Sequence, residues 1–147
     1  MRSISVFVLR LILGTLFIAH GYPKLFGGQG TGEKIPEQQK QQLGETFVEQ
    51  MEQGGVQQTA GFLESIGTPN PQQAAWAVAL TEFVGGIALI LGWKARLAAV
   101  GNIVAQLVAI NKVHKDQGLV SGYELNLALI GGLAVIALDG PGKLALD

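Results

Sequence analysis

The sequence predicts an all-α integral membrane protein, an up-and-down bundle of four transmembrane helices, and three observations carry that prediction. Hydrophobic residues make up 48% of the 147 residues and charged residues only 14%, too apolar a balance for an ordinary soluble domain of this length. The apolar residues fall in long runs, four of which reach the ~20 residues that a bilayer core requires. A long glutamine-rich stretch separates the first run from the second, whereas the later connections are short.

The four windows run from Ile4 to Phe26, from Ala74 to Trp93, from Ala95 to Val113, and from Leu119 or Tyr123 to Leu138. The first could be read as a secretory signal peptide. Arg10 interrupts its apolar run and no small-x-small cleavage site precedes His20, so a retained helix is the better reading. The second and third windows are joined only by Gly92-Trp93-Lys94-Ala95-Arg96, a tight hairpin with basic residues at a membrane surface. Counting that loop as cytoplasmic places Arg2 and Lys143 there too, hence both termini inside, although Lys112 and Lys115 on the opposite side run against the bias. The chain is thus a single membrane domain over residues 1–147, with an extramembrane loop, 27–73, between helices 1 and 2.

That loop is net acidic. Phe47, Met51 and Val56, then Phe62, Leu63 and Ile66, are spaced like the faces of short amphipathic helices broken at Gly54-Gly55. Such helices would lie at the interface or lid the bundle. The stretch from Gln29 to Gln42 reads equally well as a partly ordered polar loop, because its composition buries little apolar area.

A formal net charge of −1 gives no sign of a nucleic-acid partner or a strongly charged substrate. Without any cysteine the chain by itself forms no disulfide, no Cys-x-x-Cys redox pair and no thiolate-ligated iron–sulfur or zinc site. No metal site is expected, and electrons for redox chemistry would have to come from a partner.

Function then rests on the polar residues inside the spans. Each ionisable group in hydrocarbon costs at least ~2.5 kcal/mol, so such groups face the interior and find partners. Position along each helix fixes depth at ~1.5 Å per residue. By that measure His20 and Lys24, one turn apart on helix 1, lie toward the outer end, as do Glu124 and Asn126 on helix 4 and Asn111, Lys112 and His114 on helix 3. Glu82 lies near the middle of helix 2, and Gln106 on helix 3 at a similar depth. The resulting candidate site is one outer-half cavity formed by His20, Lys24, Glu82, Gln106 and Glu124, with Arg10 below it. Glu82 shares its face with Ala75, Ala79 and Gly86, small residues that let a neighbouring helix approach, and helix 3 offers Ala99, Asn102, Gln106 and Ala109 at matching spacing, a polar and small stripe suited to pack against it. The structural alternative pairs Arg10 with Glu82 and Lys24 with Glu124 as ion pairs that fix helix register. His114, Lys112 and Lys115 read as a solvated loop end, and Tyr22, Trp76, Trp93 and Tyr123 as interfacial belt residues.

Arg10 followed by Phe17-Ile18-Ala19-His20-Gly21-x-x-Lys24-Leu25-Phe26-Gly27 resembles the first helix of the DoxX family of small membrane proteins. Gly61-Phe62-Leu63-Glu64-Ser65-Ile66-Gly67 is similar to the segment ahead of that family's second helix. Glu82-Phe83-Val84-Gly85-Gly86 through Leu91-Gly92, Arg96-Leu97-Ala98-Ala99, Val113-His114 and Gly122-Tyr123-Glu124 continue the likeness in order. Gly140-Pro141-Gly142-Lys143-Leu144-Ala145-Leu146-Asp147 is similar to its C-terminal ending. The resemblance implies a four-helix membrane protein associated with quinone-linked oxidoreduction, a family that includes a subunit of thiosulfate:quinone oxidoreductase.

On that resemblance the leading expectation is a quinone- or quinol-interacting membrane subunit, in the plasma membrane of a bacterium, working with a soluble redox enzyme and in contact with lipid. His20 and Lys24 would donate hydrogen bonds to the quinone carbonyls. Glu82 or Glu124 would exchange the proton, Gln106 would orient the ring, and Arg10 would complete the binding set. The competing expectation is an adaptor subunit that anchors a soluble enzyme, with the polar residues serving helix packing; a homo-oligomer is compatible with either reading. A small transporter fits less well, since four short helices without a broken midplane helix offer little for alternating access. So does a bis-histidine haem protein built on His20 and His114.

Overall fold

In the computed structural model, residues 3–147 are described; Arg2, which entered the orientation argument, lies outside them. All the regular secondary structure of the described residues is helical, with no strand among them. The principal helices are α1 (Ile4–Phe26), α2 (Glu37–Leu43), α3 (Glu45–Glu52), α4 (Val56–Ser65), α5 (Pro71–Leu91), α6 (Ala95–Ala109) and α7 (Glu124–Asp139). Four spans are long and apolar enough to cross a membrane: Ile4–Phe26, Pro71–Leu91, Ala95–Gln117 and Leu119–Asp139. Each corresponds to one of the four sequence windows. The second begins three residues earlier than expected because Pro71 is suited to a first helical turn, where its missing N–H costs nothing.

The chain divides into two compact units, one comprising residues up to Ile18 with Val84–Asp147, the other Ala19–Phe83. In the first unit the core is Val6, Leu13, Phe17, Leu89, Ala95, Ala99, Leu129, Leu133 and Ile136. Side chains at i, i+3, i+4 and i+7 meet one another on one helix face, and Leu129, Leu133 and Ile136 make such a stripe on α7. Glycines set the closest approach. A Cβ on Gly14 would lie 2.6 Å from the Gly86 carbonyl, and one on Gly86 would lie 2.7 Å from the Gly14 carbonyl, so the two helices touch backbone to backbone there.

α5 ends where Gly92 takes φ 69°, with its N–H on the Leu89 carbonyl and that of Trp93 on the Ala88 carbonyl. These bonds satisfy the last carbonyls of the helix. α7 stops at Gly140, φ 92°, and Pro141 forbids continuation. The residues that follow then run back over the ends of other helices. Lys143 N–H meets the Ser3 carbonyl, Leu146 N–H the Leu91 carbonyl and Asp147 N–H the Gly92 carbonyl.

α6 runs on through a π-helical turn at Ile110–His114 and a 3₁₀ turn at Lys115–Gln117. The helix then breaks: Gly118 takes φ 80° and Val120 an extended ψ of 127° before α7 begins at Glu124. Ser121 sits there at φ 59°. None of this was visible as hydrophobic period.

In the second unit α3 and α4 occupy the stretch expected to hold short amphipathic helices, and they part at Gln53–Gly55. Met51 and Ala60 are buried, but Phe62 is 51% exposed. The polar stretch from Gln29 to Gln42 is more ordered than its composition suggested. It ends in α2, which buries none of its residues, and is tied down by Glu52, whose carboxylate accepts the N–H groups of Gly30 (2.6 Å) and Gly32 (3.0 Å).

Candidate functional site

Pro23, inside α1, has no N–H and so weakens the last turns of that helix. The Lys24 ammonium folds back on this stretch and donates to the His20 carbonyl at 3.0 Å. The same ammonium donates to Glu82 Oε2 at 2.6 Å. Gly21 makes that reach possible: a Cβ there would fall 2.6 Å from the Phe83 nitrogen, so α1 lies close against α5 beside Glu82. The Glu82 side chain is 9% exposed and that of Lys24 30%. An ammonium has three N–H donors, of which these contacts use two. Tyr22, Phe26 and Phe83 form an aromatic cluster with ring centroids 4.8–6.0 Å apart.

The pairing corrects the register expected from depth. Lys24 pairs with Glu82 rather than Glu124, and among the described residues Arg10 forms no ion pair with a carboxylate side chain. Depth along a helix ranks residues but leaves rotation and partner to tertiary packing. The structure therefore brings together Lys24 and Glu82, with the backbone of His20 beside them, while the His20 side chain is exposed rather than turned inward.

Arg10, Gln106 and Glu124 belong to the other unit, each with partners of its own. Arg10 is fully buried. Its Nη1 donates to the Pro141 carbonyl at 2.9 Å and its Nη2 to the Leu144 carbonyl at 2.8 Å, while the guanidinium lies 5.4 Å from the Phe7 ring centroid. Gln106, also buried, accepts from Asn126 Nδ2 at 2.8 Å, an interhelical bond of the kind that joins helices in lipid. Glu124 is exposed and receives the Ser121 N–H at 3.0 Å, closing the strained turn. His114 meets Gln117 at 2.9 Å, a local contact within the loop end expected of it. Trp76 and Trp93 are exposed, as interfacial residues are.

Of two further polar features, Asn102 was expected to face α5 as part of the helix 3 stripe, and Asp147 escaped the sequence reading. Asn102 is fully buried on α6, donates to the Ala98 carbonyl and packs so closely on Gly85 that a Cβ there would lie 2.6 Å from its Nδ2. Asp147 accepts the N–H groups of Lys94 (2.9 Å) and Ala95 (3.0 Å), capping the start of α6. Those two bonds, first among the causes, hold its carboxyl below the usual carboxylate range. A carboxylate beside an uncapped helix start was the only available signal, and 52 residues of sequence separate the partners. Among the described residues no cluster of three metal-ligating side chains occurs.

The DoxX family profile matches residues 5–115, which stops short of α7 and the C-terminal turn. Two inner membrane proteins of Escherichia coli strain K12 are similar along essentially the whole chain. One, named YqjF, is 25% identical over 150 residues, covering 100% of this chain and 92% of its own length. The other, named YphA, is 24% identical over 154 residues, covering 99% of this chain and 90% of its own. No solved structure matches significantly.

Proposed function

The chain belongs to the DoxX family of integral membrane proteins, and from that premise we propose that it is a quinone- or quinol-interacting subunit of an oxidoreductase in a bacterial inner membrane, with both termini cytoplasmic. One observation carries the reading. The Lys24 ammonium, bonded to Glu82 and to the His20 carbonyl, keeps a third N–H and partial exposure, which is what a quinone carbonyl requires of a donor. Reduction of a quinone takes two electrons and two protons. Glu82, in contact with that donor, is placed to pass protons to the reduced oxygen, and the exposed His20 ring one turn away offers a second exchange group. The electrons come from a soluble redox partner. Gln106 and Glu124, engaged with Asn126 and the Ser121 backbone, serve helix packing in this reading, and Arg10 holds the chain's own carbonyls.

The test is binding of a quinone analogue to detergent-purified protein, read as a rise in melting temperature, for wild type, Glu82→Gln and Ala79→Leu. Glu82→Gln retains shape but removes the charge and the exchangeable proton, and it is expected to fold and lose the shift. Ala79 is fully buried, so Ala79→Leu overpacks the helix contact and lowers folding yield. No shift with well-folded wild-type protein would sink the quinone reading. The adaptor alternative draws support from the same ion pair, since its two groups also satisfy one another; it predicts that Glu82→Gln lowers stability with no selective loss of ligand binding.

A further inference from the structure

A pocket of about 540 Å³ in the first unit is lined by Ser3, Val6, Arg96, Asp139 and the turn 140–142. That size falls within the ~300–1,000 Å³ of sites that hold small molecules. Its lining residues all lie at span ends: beside the start of α1 at Ile4, at the second residue of α6, and at and just past the end of α7 at Asp139. The pocket therefore sits where membrane-spanning segments meet water, the level of lipid headgroups.

Among the described residues its lining carries one guanidinium, Arg96, and one carboxylate, Asp139, which do not pair. The ion pairs among the described residues are Lys24–Glu82 and Lys40–Glu37. Arg96 is held by Nη1 donating to the Ala137 carbonyl at 3.0 Å, and it lies over Gly140, where a Cβ would stand 3.1 Å from Nη2 and 3.4 Å from Nε. This leaves a fixed, exposed guanidinium edge with donors to spare. Asp139 is exposed and makes no side-chain hydrogen bond among the described residues. Arg is suited to phosphate, which it meets with paired donors, and a carboxylate is suited to a primary ammonium. Flanking residues supply the apolar side: Ile4, next to Ser3, is 56% exposed and Leu138, next to Asp139, is 76% exposed.

We infer that this pocket binds the zwitterionic headgroup of a phosphoethanolamine lipid, its phosphate on Arg96 and its ammonium on Asp139, with acyl chains along Ile4 and Leu138. Two unpaired opposite charges discriminate among headgroups. A choline headgroup has no N–H to give Asp139, and a glycerol headgroup has no cation, so its phosphate would bring net negative charge beside that carboxylate.

The experiment uses the full chain in nanodiscs of phosphatidylcholine carrying a minor fraction of either phosphatidylethanolamine or phosphatidylglycerol. Retained lipid is counted by native mass spectrometry after transfer to detergent. Wild type is expected to retain phosphatidylethanolamine preferentially. Asp139→Asn, which breaks no side-chain hydrogen bond among the described residues, should weaken that retention about tenfold and shift the preference toward phosphatidylglycerol. Arg96→Gln should lose both phospholipids, with circular dichroism checking that the helices persist. Equal retention of all three lipids by wild type, or an unchanged preference in Asp139→Asn, overturns the proposal. Displacement of bound lipid by free glycerophosphoethanolamine at low concentration assigns the pocket to a soluble ligand and overturns the lipid assignment.

Discussion

At the scale of single residues, charges are secured in two contrasting ways. Lys24 and Glu82 answer one another directly, whereas Arg10 forms no ion pair among the described residues and is answered by carbonyl oxygens of Pro141 and Leu144, with the Asp147 carboxylate acting on it at longer range. Removing one member of a buried pair leaves the other uncompensated. Lys24→Met is therefore expected to destabilise the protein by about 2–3 kcal/mol, below the ~3–5 of a fully buried pair because the Lys24 head keeps some exposure; thermal unfolding in detergent measures it. Asp147 gives a pH-dependent case. Its folded pKa is depressed, so its contribution to stability is fully present above the unfolded value of about 3.9 and is lost as pH falls through the lower folded value. Asp147→Asn should then melt below wild type at neutral pH, with the gap closing in strong acid. A gap of equal size at every pH would mean that the carboxylate charge is not what caps α6. The presence of Arg10, Lys24 and Glu82 in apolar helices was plain from the sequence. Their partners were not, because pairing depends on close approaches at positions such as Gly21 and on a tail far away in the chain.

Helices were the most legible level, since a run of apolar residues long enough to span a bilayer is a property of composition and needs no tertiary information. Thus Ile4–Phe26 was read to the residue. Hidden instead were the π-helical turn at Ile110–His114, where backbone hydrogen bonds shift by one residue without any change in hydrophobic pattern, and α2, whose polar sequence gives no amphipathic signal. Crossing points were half legible: small residues near Glu82 signalled a close approach, but its counterpart is Gly14 rather than the small stripe of α6 alone. Gly86→Ala is expected to cost about 1–3 kcal/mol, because its new Cβ would press on the Gly14 carbonyl and the Ile18 backbone. A melting temperature equal to wild type would show that α1 and α5 separate there without penalty.

For the molecule as a whole, the all-α membrane class followed from composition, and the family from ordered short motifs carried mostly by α1 and α5. The sidedness of the termini rests on charge bias alone, but their proximity is structural, through the bond between Lys143 N–H and the Ser3 carbonyl. Single cysteines placed at Ser3 and at Lys143 should react with an impermeant maleimide from the same face of sealed vesicles; opposite reactivity would overturn the four-span topology. The tail that makes this bond also sets an order of events during synthesis. Arg10 precedes the carbonyls that receive its guanidinium by 131 and 134 residues. Until residues 141 and 144 have been made, the first helix carries its cation without those acceptors. A fragment cut before residue 141 keeps that defect and is expected to melt below the chain that contains the turn.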